Sequence, residues 1–165
     1  MERYQVRPNF SLHEFIPREI YEHLGIKSRG FIHEAVLDFI QAVRTHFDTV
    51  VTVNDWYCYL NRRKKNDHTI YNYSGYRPWD CPVGSLSSQH KFTRAVDVKV
   101  KGVSSLEVQH EIQKHGSFFQ SCGLSRIGVG STGYTHLDAK VISGKNLISF
   151  SNSKKKKRSI GGHHK

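Results

Sequence analysis

Ser88-Gln89-His90-Lys91-Phe92-Thr93-Arg94-Ala95-Val96-Asp97-Val98-Lys99-Val100 decides the fold class of this chain. Its second half alternates. Val96, Val98 and Val100 fall on one face of a strand, and Asp97 and Lys99 fall on the other. A second alternating stretch, residues 134–141, sets Thr135, Leu137, Ala139 and Val141 on one face and Tyr134, His136, Asp138 and Lys140 opposite them. Two such strands in one sheet bring Asp97 and His136 out on the same side. With His90 just upstream, two imidazoles and a carboxylate stand at spacings suited to a zinc ion with three protein ligands and one open position. A chain with 11 histidines contains His-x-Asp triplets by chance, so the order of residues around them carries more weight than the triplet itself.

The rest of the chain supports one α+β domain over residues 1–150. Ser11 and Glu14 have capping-box spacing, with Phe10 and Phe15 placed as a hydrophobic staple. Pro17 suits the start of a short helix through Leu24, and Gly25 suits its end. Val36, Phe39, Ile40 and Val43 recur at helical spacing, which predicts an amphipathic core helix over residues 33–47. Ser104 and Glu107 form a second capping box and open a helix that ends near Gly116; its His110 and His115 read as surface residues. Further strands are expected at residues 50–53, 124–129 and 147–150. Residues 56–80 are rich in Tyr, Asn, Arg and Lys without periodicity, and read as a long loop region around a site mouth. No internal repeat is visible.

Charge and cysteine content narrow the setting. The net charge is +11, but the tail from Ser151 to Lys165 holds six basic residues and no acid, which leaves +5 for the rest. Ser-Asn-Ser before its basic run and Gly161-Gly162 after it offer no apolar material to pack, and the tail reads as disordered; its Lys154–Arg158 run (residues 154–158) suits a polyanion, nucleic acid or anionic wall polymer. No apolar run approaches membrane-span length, and Met1-Glu2-Arg3-Tyr4 opens no apolar signal segment, so synthesis in a cytoplasm without export by that route is expected. Cys58, Cys81 and Cys122 are odd in number and lack a C-x-x-C pair, so free thiols are expected, with a Cys58–Cys81 bridge as the alternative outside the cell.

The order Ser88-x-His90-x-x-x-x-Ala95-x-Asp97, followed by His136, resembles the signature of the zinc D-alanyl-D-alanine carboxypeptidase family, Ser-x-His-x-x-Gly-x-Ala-x-Asp plus a later histidine. Ser74-Gly75-Tyr76-Arg77 is similar to the turn that precedes that signature. The segment from Asn9 to Phe15 is similar to the helical opening of bacteriophage-associated members. The resemblance covers residues 10–141 and implies a hedgehog/DD-peptidase-like fold, a small antiparallel sheet carrying the zinc with helices packed on one side. It implies Zn2+ on His90, Asp97 and His136, and a peptidoglycan stem peptide with D-amino acids as substrate. Arg77 would bind substrate or a developing oxyanion, and Ser88 would sit near the substrate carboxylate. Tyr134 can donate a hydrogen bond there or serve as a strand aromatic. Asp138 is either the proton-transfer carboxylate or a residue that orients the ligand shell. The chain departs from the signature at Thr93, where glycine is usual, and at Gly133, where many members carry an acid. The expected action is on the cell wall, released at lysis or virion-associated, whether as carboxypeptidase or endopeptidase.

Two readings from other classes stay open. Asp80 followed by Asp97-Val98-Lys99 loosely fits the Asp…Asp-x-Lys arrangement of magnesium-dependent nucleases, and the basic charge suits DNA. A non-catalytic wall- or DNA-binding module on the same fold is the other.

Overall fold

The structure is a computed structural model that describes residues 2–59, 71–141 and 147–151; the 154–158 basic run and residues 60–70 of the loop region lie outside the described residues. A short hairpin opens the chain, with Gln5–Arg7 (β1) antiparallel to Phe10–Ser11 (β2). The Ser11 capping box forms, and the Ser11 N–H donates to the Glu14 carboxylate at 2.8 Å, but it caps one 3-10 turn, Leu12–Glu14. Pro17 then starts Arg18–Leu24 (α1), which ends on Gly25 at φ +53°, as the breaker residues predict. A 3-10 segment, Gly25–Phe31, leads into Glu34–Phe47 (α2), whose N-cap is His33.

The five-stranded sheet runs in the order β3-β4-β6-β5-β7. Its strands are Val51–Thr52 (β3), Ala95–Val100 (β4), Arg126–Val129 (β5), Thr135–Asp138 (β6) and Ile148–Ser151 (β7). Helices Ser105–Lys114 (α3) and Gly116–Ser121 (α4) lie between β4 and β5 in sequence. Val96, Val98, Val100, Ile127 and Leu137 share one buried cluster with Val36, Leu37 and Ile40 of α2 and Val108 and Ile112 of α3. The apolar faces of both alternating stretches are therefore covered by helix, which leaves Asp97 and His136 on the other face.

The α+β class and the small antiparallel sheet are thus as the alternation predicts, with three differences. First, β7 pairs parallel to β5, because the chain crosses over after β6 instead of turning back as a hairpin. Second, β6 stops at Asp138. The Ala139 N–H turns to the Arg94 carbonyl at 2.8 Å, and Val141, expected on the core face, is exposed. Third, α3 ends near Gly116 as expected, but a further helix that the sequence reading did not include, α4, follows it directly and buries Phe119. Cys58, Cys81 and Cys122 are free thiols, so the Cys58–Cys81 bridge is not formed. Among the described residues no helix is long and apolar enough to cross a membrane.

Candidate metal centre

The antiparallel register of β4 and β6 sets Asp97 directly opposite His136, so both side chains leave the same face of the sheet. His90 comes from the turns before β4. There the Lys91 N–H binds the Ser88 carbonyl at 3.0 Å, Phe92 binds Gln89 at 3.1 Å and Arg94 binds Gln89 at 3.0 Å. The series closes through Thr93 at φ +63°, a left-handed conformation that a β-branched residue adopts with strain. Thr93, where the chain departs from the signature it resembles, thus takes a conformation that glycine adopts freely.

The three side chains converge. His90 Nε2 lies 3.1 Å from His136 Nδ1 and 3.3 Å from Asp97 Oδ1, and His136 Nδ1 lies 2.9 Å from the same oxygen. Zinc with ligand distances near 2.0–2.1 Å in a tetrahedral array separates its ligand atoms by about 3.3 Å. The cluster is within a few tenths of an ångström of that spacing, and its two imidazoles and one carboxylate are a zinc-type donor set. The residues present fit the ion.

Each imidazole is also turned the right way. His90 Nδ1 lies 2.8 Å from the Gly75 carbonyl, an oxygen that can only accept, so Nδ1 carries the proton and Nε2 presents its lone pair to the cluster. Gly75 must be glycine here: a Cβ would stand 2.1 Å from the Phe15 carbonyl oxygen. His136 Nε2 donates to Asp138 Oδ2 at 3.1 Å, which leaves Nδ1 for the cluster. Asp138 is fully buried. It faces Arg126 across the β5–β6 ladder and accepts from Arg126 Nε at 2.9 and 3.1 Å and from Nη2 at 2.7 Å.

The electrostatics follow from this packing. Burial pulls His90 below the ordinary imidazole range despite the facing Asp97. Burial also works against charge on His136, but its hydrogen bonds to Asp138 and Asp97 outweigh this and hold its pKa above the usual value. Asp97 is pushed up by burial and drawn further down by the imidazoles of His90 and His136, so it stays an anion far below the ordinary carboxylate range. His136 Nδ1 lies within hydrogen-bond distance of Asp97 Oδ1, and a divalent cation held by His90, Asp97 and His136 would require that nitrogen to be free of its proton.

The cluster opens on two adjoining cavities. One, of about 420 Å³, is lined by Arg77, Ser88, His90, Asp97, Tyr134 and His136 among others; the second, of about 290 Å³, by Tyr71, Tyr73, Arg77, Lys99 and Tyr134 among others. Ser88 and Tyr134 line the cavity on which the cluster opens, and Tyr134 is exposed and lines both cavities. Arg77 is less free than expected, since its Nε donates to the Tyr73 carbonyl at 2.6 Å and its Nη2 to Asp97 Oδ2 at 2.6 Å. Of its two readings, the contacts of Asp138 are those of the residue that orients the cluster. It binds the ring nitrogen that points away from the cluster, and Arg126 engages both its oxygens.

Asp80 stays away from this site. Among the described residues the His, Cys, Asp and Glu groups close enough to share an ion are His90–Asp97–His136 and His46–Glu111–His115, and neither includes Asp80. The Lys99 ammonium lies over the Tyr71 ring, 3.9 Å from its centroid, and donates to the Tyr71 hydroxyl. Sequence reading passed over three neighbours of the centre. Gly75 supplies a carbonyl, Arg126 braces Asp138, and the Phe150 ring stands edge-on to His136 at 5.5 Å. Gly75 left a trace as part of the Ser74–Arg77 turn, and Arg126 as the lone charge in a strand otherwise apolar or small. No family model, curated protein or solved structure matches this chain.

Proposed function

We propose that the chain is a zinc-dependent peptidase that cleaves peptidoglycan stem peptides containing D-amino acids. The observation that carries this reading is the convergence of His90 Nε2, Asp97 Oδ1 and His136 Nδ1 at 2.9–3.3 Å, with each outward ring N–H engaged by a fixed acceptor, at the mouth of an open cavity. The substrate class rests on the resemblance of the segment from Ser88 to Asp97, with the turn at Ser74–Arg77, to the D-alanyl-D-alanine carboxypeptidase signature.

In this reading His90, Asp97 and His136 hold the ion, and when bound it supplies Lewis acidity toward the scissile carbonyl and brings water near neutral pKa. Arg77 holds the second oxygen of Asp97 and presents that carboxylate through Oδ1 alone. Asp138 fixes the ring and tautomer of His136, and Arg126 keeps Asp138 charged and in place. Ser88 and the exposed Tyr134 hydroxyl are the protic groups that would bind the substrate's carboxylate and carbonyl oxygens at the mouth. The carboxylate of Asp97, already shared among two imidazoles and a guanidinium, stays a ligand and takes no proton. The chain would act on the cell wall after release at lysis or from a virion.

Metal content and hydrolysis of purified peptidoglycan, measured together on the wild type and on His136→Ala, test this reading. Zinc binding with peptide release, with one equivalent of zinc and the hydrolysis both lost on substitution, supports it. Zinc without release of any stem peptide leaves a metal-stabilised binding module and ends the peptidase proposal.

A further inference from the structure

We propose that His46, Glu111 and His115 form a second divalent-metal site, of zinc type, that ties the C-terminal end of α2 to the C-terminal end of α3. His46 lies in the last turn of α2, Glu111 lies in α3, and His115 is the residue that caps α3. Glu111 and His115 are four residues apart and therefore share one helix face. The facing helix supplies the third group.

Two of its three spacings match those of the first centre, and all three ligand atoms lie within 4.8 Å of one another. His46 Nε2 is 3.2 Å from Glu111 Oε1, and His115 Nε2 is 3.0 Å from the same oxygen. Both spacings are close to the roughly 3.3 Å ligand separation of tetrahedral zinc. A carboxylate offers two oxygens, yet both imidazoles aim at one of them, and the other faces Lys114 at 3.8 Å. Convergence on a single oxygen is the arrangement expected of three ligands around a common point. Two N–H donors competing for one acceptor would gain more by taking one oxygen each.

The site is also supported from behind. The His46 ring packs edge-on against Phe47 at 5.2 Å and Phe119 at 5.3 Å, so its orientation is held by the core. All three groups are partly shielded from solvent. A groove of about 620 Å³ beside His46, Leu106, His110 and Glu111 gives an ion and its remaining water ligands a way in. Two imidazoles with one carboxylate select zinc, cobalt or copper over magnesium and calcium, which prefer all-oxygen shells. Because α2 and α3 both pack on the sheet that carries Asp97 and His136, an ion here would clamp the scaffold of the first centre without touching it.

The test uses the full chain, stripped with chelator, dialysed against zinc and analysed for metal per chain; a parallel cobalt titration is followed by visible absorption. The wild type is expected to hold two equivalents. His115→Ala is expected to hold one and to retain peptidoglycan hydrolysis, and His136→Ala to hold one without hydrolysis. Glu111→Gln, which keeps an acceptor in place, is expected to lose the same equivalent as His115→Ala and so separates ligand loss from misfolding. A wild type with one equivalent that His115→Ala abolishes supports this site and overturns the first. Metal content in His115→Ala and Glu111→Gln equal to wild type overturns the second site.

Discussion

Replacing Asp138 by Asn keeps the side-chain shape and removes one negative charge from a fully buried position. The carboxylate now accepts from Arg126 Nε and Nη2, from His136 Nε2 and from the Lys140 N–H at 3.0 Å. An amide accepts through one atom and turns an NH2 toward the other donors, so Arg126 or His136 must lose its partner. Leaving a buried charge unpaired costs on the order of 3–5 kcal/mol, and the partial exposure of Arg126 argues for the low end, about 3 kcal/mol of folding stability. Losing the hydrogen bond that orients a ligand histidine weakens metal binding by about 10–100-fold, or about 1.4–2.7 kcal/mol. Zinc affinity measured against a competing chelator, with peptidoglycan hydrolysis assayed in excess zinc, resolves the role. The expected outcome is a Kd raised by about 10–100-fold, with hydrolysis largely restored once zinc saturates the site. Unchanged zinc affinity together with a fall in turnover of about 10²–10⁴-fold at saturation would make Asp138 a proton-transfer group. The orienting role argued above would then be wrong.

Three further outcomes are expected. Thr93→Gly relieves a left-handed β-branched residue and should stabilise the chain by about 1 kcal/mol after the added freedom of the unfolded glycine is subtracted, read as a higher urea midpoint; a lower midpoint contradicts the strain argument. Gly75→Ala forces a methyl onto the Phe15 carbonyl and displaces the acceptor of His90, so it should cost about 1–3 kcal/mol and lower zinc occupancy; a variant with normal stability and normal zinc content refutes this. His13 is held down to about 4, chiefly by burial and then by the charge of Arg3, so its contribution is full above pH 6.5 and is lost as pH falls toward 4, about 3 kcal/mol in all. Glu14 is pushed up to about 7 by burial, so its contribution is full below pH 4.5 and is lost as pH rises through 7. The two oppose each other between pH 4.5 and 6.5. His13→Phe should therefore gain stability steadily on acidification through that window, and urea midpoints that fall instead would refute the assignment.

The features legible in the sequence were those with a short period or a fixed local geometry. Alternation in Ala95–Val100 and around His136 placed both strands and the faces of Asp97 and His136, because a pleat has no freedom to do otherwise. Capping residues at Ser104 and Glu107 and the breakers Pro17 and Gly25 set helix ends for the same reason. The parallel docking of β7 and the extra helix α4 depend on where distant chain segments meet, and neither leaves a periodic trace. The roles of Asp138 and Arg77 were undecidable in advance on similar grounds. Two residues from His136, a carboxylate can face the cluster or stand behind the ring, and the choice is made by Arg126 across the β5–β6 ladder. His46 and Glu111 were passed over and His115 was read as a surface residue because their meeting depends on how α2 crosses α3, whereas only the Glu111–His115 pair is local.

The short edge strand explains why the Ser74–Arg77 turn matters to the centre. β3 covers only Val100 and Lys99, so the backbone of β4 at Asp97 has no strand partner on that side. The turn takes the vacant edge: the Asp97 N–H donates to the Ser74 carbonyl at 2.7 Å, and the Tyr76 N–H anchors the turn to the Phe15 carbonyl at 2.8 Å. From that anchored position Gly75 holds His90, the Arg77 N–H reaches the His90 carbonyl at 3.2 Å, and the Arg77 guanidinium holds Asp97. One four-residue segment thus orients two of the three converging side chains, while the β6–β5 ladder orients the third through Asp138 and Arg126. A longer β3 would satisfy the edge of β4 equally well and would leave His90 without its acceptor. The truncation of β3 is therefore what admits the turn, and the turn is what gives His90 and Asp97 fixed directions.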